Sequence, residues 1–240
     1  MERHPLVLVP GLMCDHAVWE PLMPWLAPHA ECTIADHGPA DSLTTMAEQI
    51  LARAPDRFDL AGHSMGGRVA LEVCRLAPGR VRKLALMDTG YLPCPAGPTG
   101  DEEARKRYAL LATAQQKGVR AMASVWVQGM VHPDRLSDTT LIEAIVQMFV
   151  RKTADTFERQ IRALLDRPDA TEVLRHLHMP TLVLCGAQDS WSPVAQHEAM
   201  LNLIPPPLRH LSIIPEAGHM CTMERPQAVA TALLDWLQAE

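Results

Sequence analysis

Phe58-Asp59-Leu60-Ala61-Gly62-His63-Ser64-Met65-Gly66-Gly67-Arg68-Val69 joins two patterns in one stretch. A mostly apolar run, Phe58–Ala61, leads directly into a serine with a glycine two residues away on each side. Behind it Met65, Val69, Val73 and Ala77 recur every four residues until Pro78 and Gly79 stop them. The first pattern reads as a buried strand and the second as a helix over Met65–Ala77. A serine at such a junction is held in strained backbone geometry that aims its hydroxyl out of the sheet. Gly62 and Gly66 omit side chains that would collide with the turn. The alternative is a glycine-rich turn in which Ser64 merely caps the helix, and the correct flanking elements weigh against it.

Outward from this turn, the runs Leu6–Val9, Cys32–Ala35, Val81–Met87, Thr181–Cys185 and His210–Ile214 are also apolar without alternation, as strands covered on both faces are. Helical spacing lies between most of them, so the chain reads as a βαβ series with a mostly parallel sheet. One connection is too long for a plain crossover: roughly ninety residues separate Asp88 from Thr181. Within it, Asp101–Asp166 carries four stretches of helical apolar spacing, punctuated by Pro93, Pro95, Pro98, Pro133 and Pro168. The expected organisation is an α/β core of residues 1–97 and 171–240 with a helical cap inserted at 98–170.

A serine needs a base, and the base a carboxylate that orients it. His219, in Glu216-Ala217-Gly218-His219, follows the last strand, and Asp189, in Gly186-Ala187-Gln188-Asp189, follows the strand before it. Loops at strand C-termini are where an α/β sheet carries its site. Asp88, also at a strand end, is the rival acid; His63 cannot turn back onto its neighbour's hydroxyl. The Met65 N–H at the helix start and the Leu12 N–H after Val9-Pro10-Gly11 are the candidate donors to an oxyanion. Met13 and Met220 adjoin these loops, and the insertion supplies Trp126, Met130 and Met148. Together with Trp191 they are candidate lining of an apolar, adaptable substrate pocket, although each is equally suited to plain packing.

Composition narrows the class further. The net charge is -6 and only 4% of residues are aromatic, with no basic tract, so nucleic acid is not an expected partner. No run is long enough for a signal-peptide core or a membrane span. The six cysteines show no metal-ligand spacing and read as free thiols of a cytoplasmic protein. Neither a metal nor an organic cofactor is implied.

With these residues in place, the chain resembles the cap-bearing α/β-hydrolases from Leu6 to Trp236. The likeness rests on Gly62–Gly67, on Leu182–Asp189 with Pro193, and on Pro215–His219 leading into Glu224-Arg225-Pro226. The opening Leu8-Val9-Pro10-Gly11-Leu12-Met13-Cys14-Asp15 is similar to the oxyanion loop of small carboxylesterases related to the pimeloyl-carrier-protein methyl esterases. Pro10 stands where that family commonly has histidine. The resemblance implies an eight-stranded fold of which this chain lacks the first two strands. The function expected is hydrolysis of a carboxylic ester or thioester of a small to medium apolar acyl substrate through an acyl-enzyme. Ser64 argues against the dehalogenase and epoxide-hydrolase branches, which use aspartate there. Lactonase, acyltransferase, carbon–carbon bond hydrolase and cofactor-free haloperoxidase share the same three residues, and a ligand receptor on this fold is the non-enzymatic alternative. One partner is suggested by charge: residues 98–170 hold 11 Lys and Arg against 10 Asp and Glu, while the remainder holds 11 against 18. Arg105-Lys106-Arg107, Arg151-Lys152, Arg159 and Arg162 would form a basic rim for an acidic acyl-carrier protein or an anionic acyl tail, unless nearby carboxylates solvate them as a mixed face.

Overall fold

In the computed structural model, which describes residues 3–239, six strands form one sheet. They are β1 (His4–Val9), β2 (Ala30–Ile34), β3 (Phe58–His63), β4 (Val81–Met87), β5 (Thr181–Gly186) and β6 (Arg209–Ile214). The order is β2-β1-β3-β4-β5-β6, and every neighbouring pair is parallel. The sheet is therefore wholly parallel and two strands shorter than the eight that the family resemblance implies, in line with the shortened sheet expected. β3 is buried along its whole length, as is β5, which accounts for their unalternating apolar sequences.

The main helices in chain order are α1 (Leu43–Arg53), α2 (Met65–Leu76), α3 (Pro98–Lys117), α4 (Val119–Trp126), α5 (Thr139–Val150), α6 (Ala154–Leu165), α7 (Val194–Leu203) and α8 (Pro226–Gln238). α1 buries Leu43, Met46, Ala47 and Ile50, one face of a helix, and starts where the Ser42 hydroxyl accepts the Thr45 N–H at 3.1 Å. α3 to α6 all lie between β4 and β5. The first of them begins at Pro98, three residues earlier than the apolar spacing predicts, because proline is suited to the first turn of a helix and its missing N–H costs nothing there. Asp138 and Thr153 cap α5 and α6 through bonds of 3.0 and 3.1 Å to Leu141 N–H and Thr156 N–H.

The order of strands places the site. The chain runs from β1 outward to β2, then crosses back so that β3 lies on the other side of β1. Loops leaving the C-terminal ends of β1 and β3 thus diverge and leave a crevice between them. Val9 pairs with Gly62, so the Gly11-Leu12 turn and Ser64 emerge side by side at that crevice.

Candidate active site

Ser64 forms the N-cap of α2 with φ 56° and ψ -120°, a left-handed conformation costly for any residue with a side chain. The geometry is over-determined by its surroundings. The Ser64 N–H donates to the Met87 carbonyl at 2.8 Å, and its own carbonyl accepts from the Thr89 hydroxyl at 2.7 Å. Gly62 is required sterically, since a Cβ there would lie 2.3 Å from the Gly66 carbonyl oxygen. A Cβ on Gly66 would lie 2.1 Å from that of Val9. The glycines thus allow β1, β3 and α2 to meet behind the serine.

The Ser64 hydroxyl donates to His219 Nε2 at 2.8 Å, and His219 Nδ1–H donates to Asp189 Oδ2 at 2.8 Å. An ionised carboxylate only accepts, so the proton resides on Nδ1 and leaves Nε2 free to take one. The other Asp189 oxygen accepts the Trp191 and Ser192 N–H groups, each at 2.9 Å, which fixes the carboxylate in place. Burial works to raise the Asp189 pKa, but the His219 charge and these hydrogen bonds outweigh it and hold the group below its ordinary value. Burial works in the opposite direction on His219, where the Asp189 charge and hydrogen bond prevail and raise the imidazole above the ordinary histidine value.

The structure gives Asp88 a different place from that of an acid partner. It is fully buried, its Oδ1 accepts the Gly186 N–H at 2.9 Å and its Oδ2 accepts the Cys221 thiol at 2.7 Å. Burial, with Asp189 nearby, raises its pKa well above the carboxylate range. His63 Nε2–H donates to the His219 carbonyl at 2.8 Å and so holds the backbone of the loop that presents the imidazole. Burial pushes the His63 ring down to about 4, keeping it neutral.

Leu12 and Met65 both face the cavity beside Ser64. Met65 is the first residue of α2, so its N–H has no acceptor one turn earlier. The next N–H after Leu12, that of Met13, is instead taken by Gln160 Oε1 of α6 at 2.7 Å, while Met13 itself has φ 61°. This bond fixes the Gly11–Met13 loop beside the cavity that Leu12 lines.

The cavity has a volume of about 850 Å³. Trp126, Met130, Trp191 and Met220 are among the residues that line it. The Trp191 ring lies 5.5 Å from that of Trp126, nearly parallel, and 5.0 Å from that of His219, making one aromatic wall. Met13 and Met148 are corrections: neither is part of the lining, and both are fully buried in the core. Phe149, next to Met148 on α5, reaches the cavity instead. Apolar spacing could not choose between them because α5 buries Ile145, Val146, Met148 and Phe149 together. Sequence reasoning also missed a polar end of the cavity, lined by Arg68, Glu103, Arg107 and Arg167. For Arg68 a signal was present, since it stands in the first turn of the helix that Ser64 opens.

The six-stranded order, the elbow after β3 and the succession Ser64, Asp189, His219 are those of the α/β-hydrolase fold. The chain belongs to the alpha/beta hydrolase family, whose sequence profile matches residues 6–232. It is 30% identical over 251 residues to the dihydrolipoyllysine-residue acetyltransferase component of the acetoin cleaving system of Pseudomonas putida, across 98% of this chain and 63% of that protein. It thus spans less than two thirds of that relative. Against the pimeloyl-[acyl-carrier protein] methyl ester esterase of Pectobacterium carotovorum it is 27% identical, across 98% of this chain and 94% of that one. The solved structure of a thermophilic esterase from Thermogutta terrifontis, malate bound, superposes with a TM-score of 0.85 at 26% identity, covering 98% of this chain and 89% of that chain.

Proposed function

We propose that this protein hydrolyses a carboxylic ester or thioester of a small to medium acyl group through an acyl-enzyme, with Ser64 as nucleophile, His219 as base and Asp189 as orienting acid. The observation that carries this reading is the unbroken hydrogen-bond chain from Ser64 through His219 to Asp189 at the floor of the cavity. Ser64 Oγ bonds to the ester carbonyl carbon as its proton passes to His219 Nε2, and the Leu12 and Met65 N–H groups hold the oxyanion. The carbon–oxygen bond to the alcohol then breaks, and His219 returns the proton to the departing alcohol. Water repeats the sequence on the acyl-enzyme, releasing the acid and restoring Ser64. Residues 98–170 act in this reading as a cap whose Trp126, Met130 and Phe149 close the cavity over a core made of 1–97 and 171–240.

Acyl transfer is a second reading, supported by the acetyltransferase name of the Pseudomonas relative, in which another acceptor replaces water at the same intermediate. An acyl-carrier protein as bearer of the substrate is supported by the name of the Pectobacterium relative. Six free cysteines fit a reducing, cytoplasmic setting. The test is turnover of a nitrophenyl butyrate, together with mass spectrometry after a fluorophosphonate probe. Wild type is expected to turn over and to take the label on Ser64, and Ser64→Ala to do neither while melting as a folded protein. Turnover by Ser64→Ala near the wild-type rate, or a wild type that binds esters without cleaving them, would overturn the reading, the latter in favour of a ligand receptor.

A further inference from the structure

Arg68 stands four residues after Ser64 on α2. Side chains on a helix lean toward its start. Arg68, in the first turn of α2, lines the same cavity as Ser64 and Met65.

Its charge is uncompensated. Among the described residues no carboxylate lies within ion-pair distance of it, and its hydrogen bond is from Nη1 to the Leu92 carbonyl at 2.8 Å. The carboxylates on that side of the cavity are already engaged. Glu103 takes Arg107 and Arg167, each at 2.8 Å, and Glu102 takes Arg105 and Lys106 at 2.7 and 3.5 Å. Burial, with Arg167 close by, pushes the Arg68 guanidinium down to about 9. Gly90 makes room for the guanidinium itself, since a Cβ there would lie 2.7 Å from Arg68 Nη2 and 2.2 Å from Gln196 Nε2. A half-buried cation with unused donors is stabilised when a counter-charge arrives, and a guanidinium matches a carboxylate through paired N–H bonds.

We propose that Arg68 forms a carboxylate-binding subsite and that the substrate is an ester carrying a free carboxylate, such as the half-ester of a short dicarboxylic acid. The ester carbonyl sits at Ser64 and the carboxylate on the Arg68 guanidinium, while the aromatic wall of Trp126 and Trp191 covers the methylenes between. The proposal rests on the hydrolase reading for the ester, but the subsite itself is a matter of binding.

Two measurements separate the two claims. The first compares kcat/KM for monomethyl glutarate with that for its neutral isostere, dimethyl glutarate. Wild type is expected to prefer the monoester, Arg68→Gln to lower that ratio by roughly 10- to 100-fold, and Arg68→Lys to keep part of it. The second follows the melting temperature of Ser64→Ala with glutarate alone, where stabilisation is expected and is lost on adding Arg68→Gln. A wild type indifferent to the free carboxylate, or a ratio unchanged in Arg68→Gln, overturns the subsite and leaves the hydrolase reading standing. Glutarate binding that depends on Arg68 without turnover of any ester would do the reverse. Should Arg68→Gln fail to fold, the wild-type preference and the Arg68→Lys ratio decide the matter.

Discussion

Asp189 shows how one side chain sets the working range of another. Its charge and hydrogen bond raise the His219 pKa against the opposing effect of burial. In the proposed mechanism His219 must be neutral to accept the Ser64 proton, so a raised pKa means that protonation silences it at a pH above the ordinary histidine midpoint. The acidic limb of kcat/KM should therefore fall above about 6.5. In Asp189→Asn the charge is gone and burial remains, so the limb of the residual activity should move to lower pH. Turnover itself should drop by roughly 10⁴-fold, the loss known for a triad aspartate whose histidine takes the wrong tautomer. A limb that stays in place in Asp189→Asn, or a greater loss in Asp88→Asn, would assign the orienting role elsewhere.

At the scale of elements, the His219 loop is held by a residue that performs no chemistry. Glu224 is buried, and its Oε1 accepts the Gly218 N–H at 2.9 Å while its Oε2 accepts the His132 N–H at 2.7 Å. It thereby ties the loop after β6 to the segment between α4 and α5, and Met220 N–H adds a bond to the Met130 carbonyl at 3.2 Å. Glu224→Ala would leave two N–H groups unpaired in a dry setting, at about 1–3 kcal/mol each. Urea denaturation should show a loss of about 2 kcal/mol or more, and kcat should fall more than KM rises because the imidazole loses its position. Unchanged stability with unchanged kcat would remove Glu224 from this role.

At the scale of the whole molecule, most cations of the basic rim that charge counting suggests are paired with carboxylates, Lys152 being without one among the described residues. Arg105, Lys106 and Arg107 pair with Glu102 and Glu103 on their own helix, Arg151 with Asp15, Arg159 with Asp155, and Arg162 with Asp41 and Glu158. Two of these pairs, Arg151 with Asp15 and Arg162 with Asp41, join the inserted helices to the core at the surface. Docking of an acidic carrier through this surface would first have to break them. A carrier-linked methyl ester and the free methyl ester should accordingly lose activity in parallel as salt rises from about 50 to 500 mM, over which screening shortens markedly. A steeper loss for the carrier-linked substrate would restore the rim as a docking site.

Much of this protein was legible in the chain itself. Strand and helix periodicity, the glycines around Ser64 and the succession Ser64, Asp189, His219 are local or ordinal features, and they lead to the sheet, the elbow and the hydrogen-bonded trio without any knowledge of long-range contacts. Periodicity states which residues share a face of an element but not what that face meets. Only the packing of remote segments put Phe149 at the cavity and Met148 behind it, or brought Gln160 to the Met13 N–H across 147 positions of sequence. The same packing gave Glu103 to Arg167 in addition to Arg107 of its own helix, and among the described residues it left Arg68 with no carboxylate within ion-pair distance. Helical spacing offers a charge partners on its own helix, yet Glu72, four residues after Arg68, pairs with Arg75 instead. The chain segments that fold against a helix decide whether a charge left over is neutralised or faces the cavity.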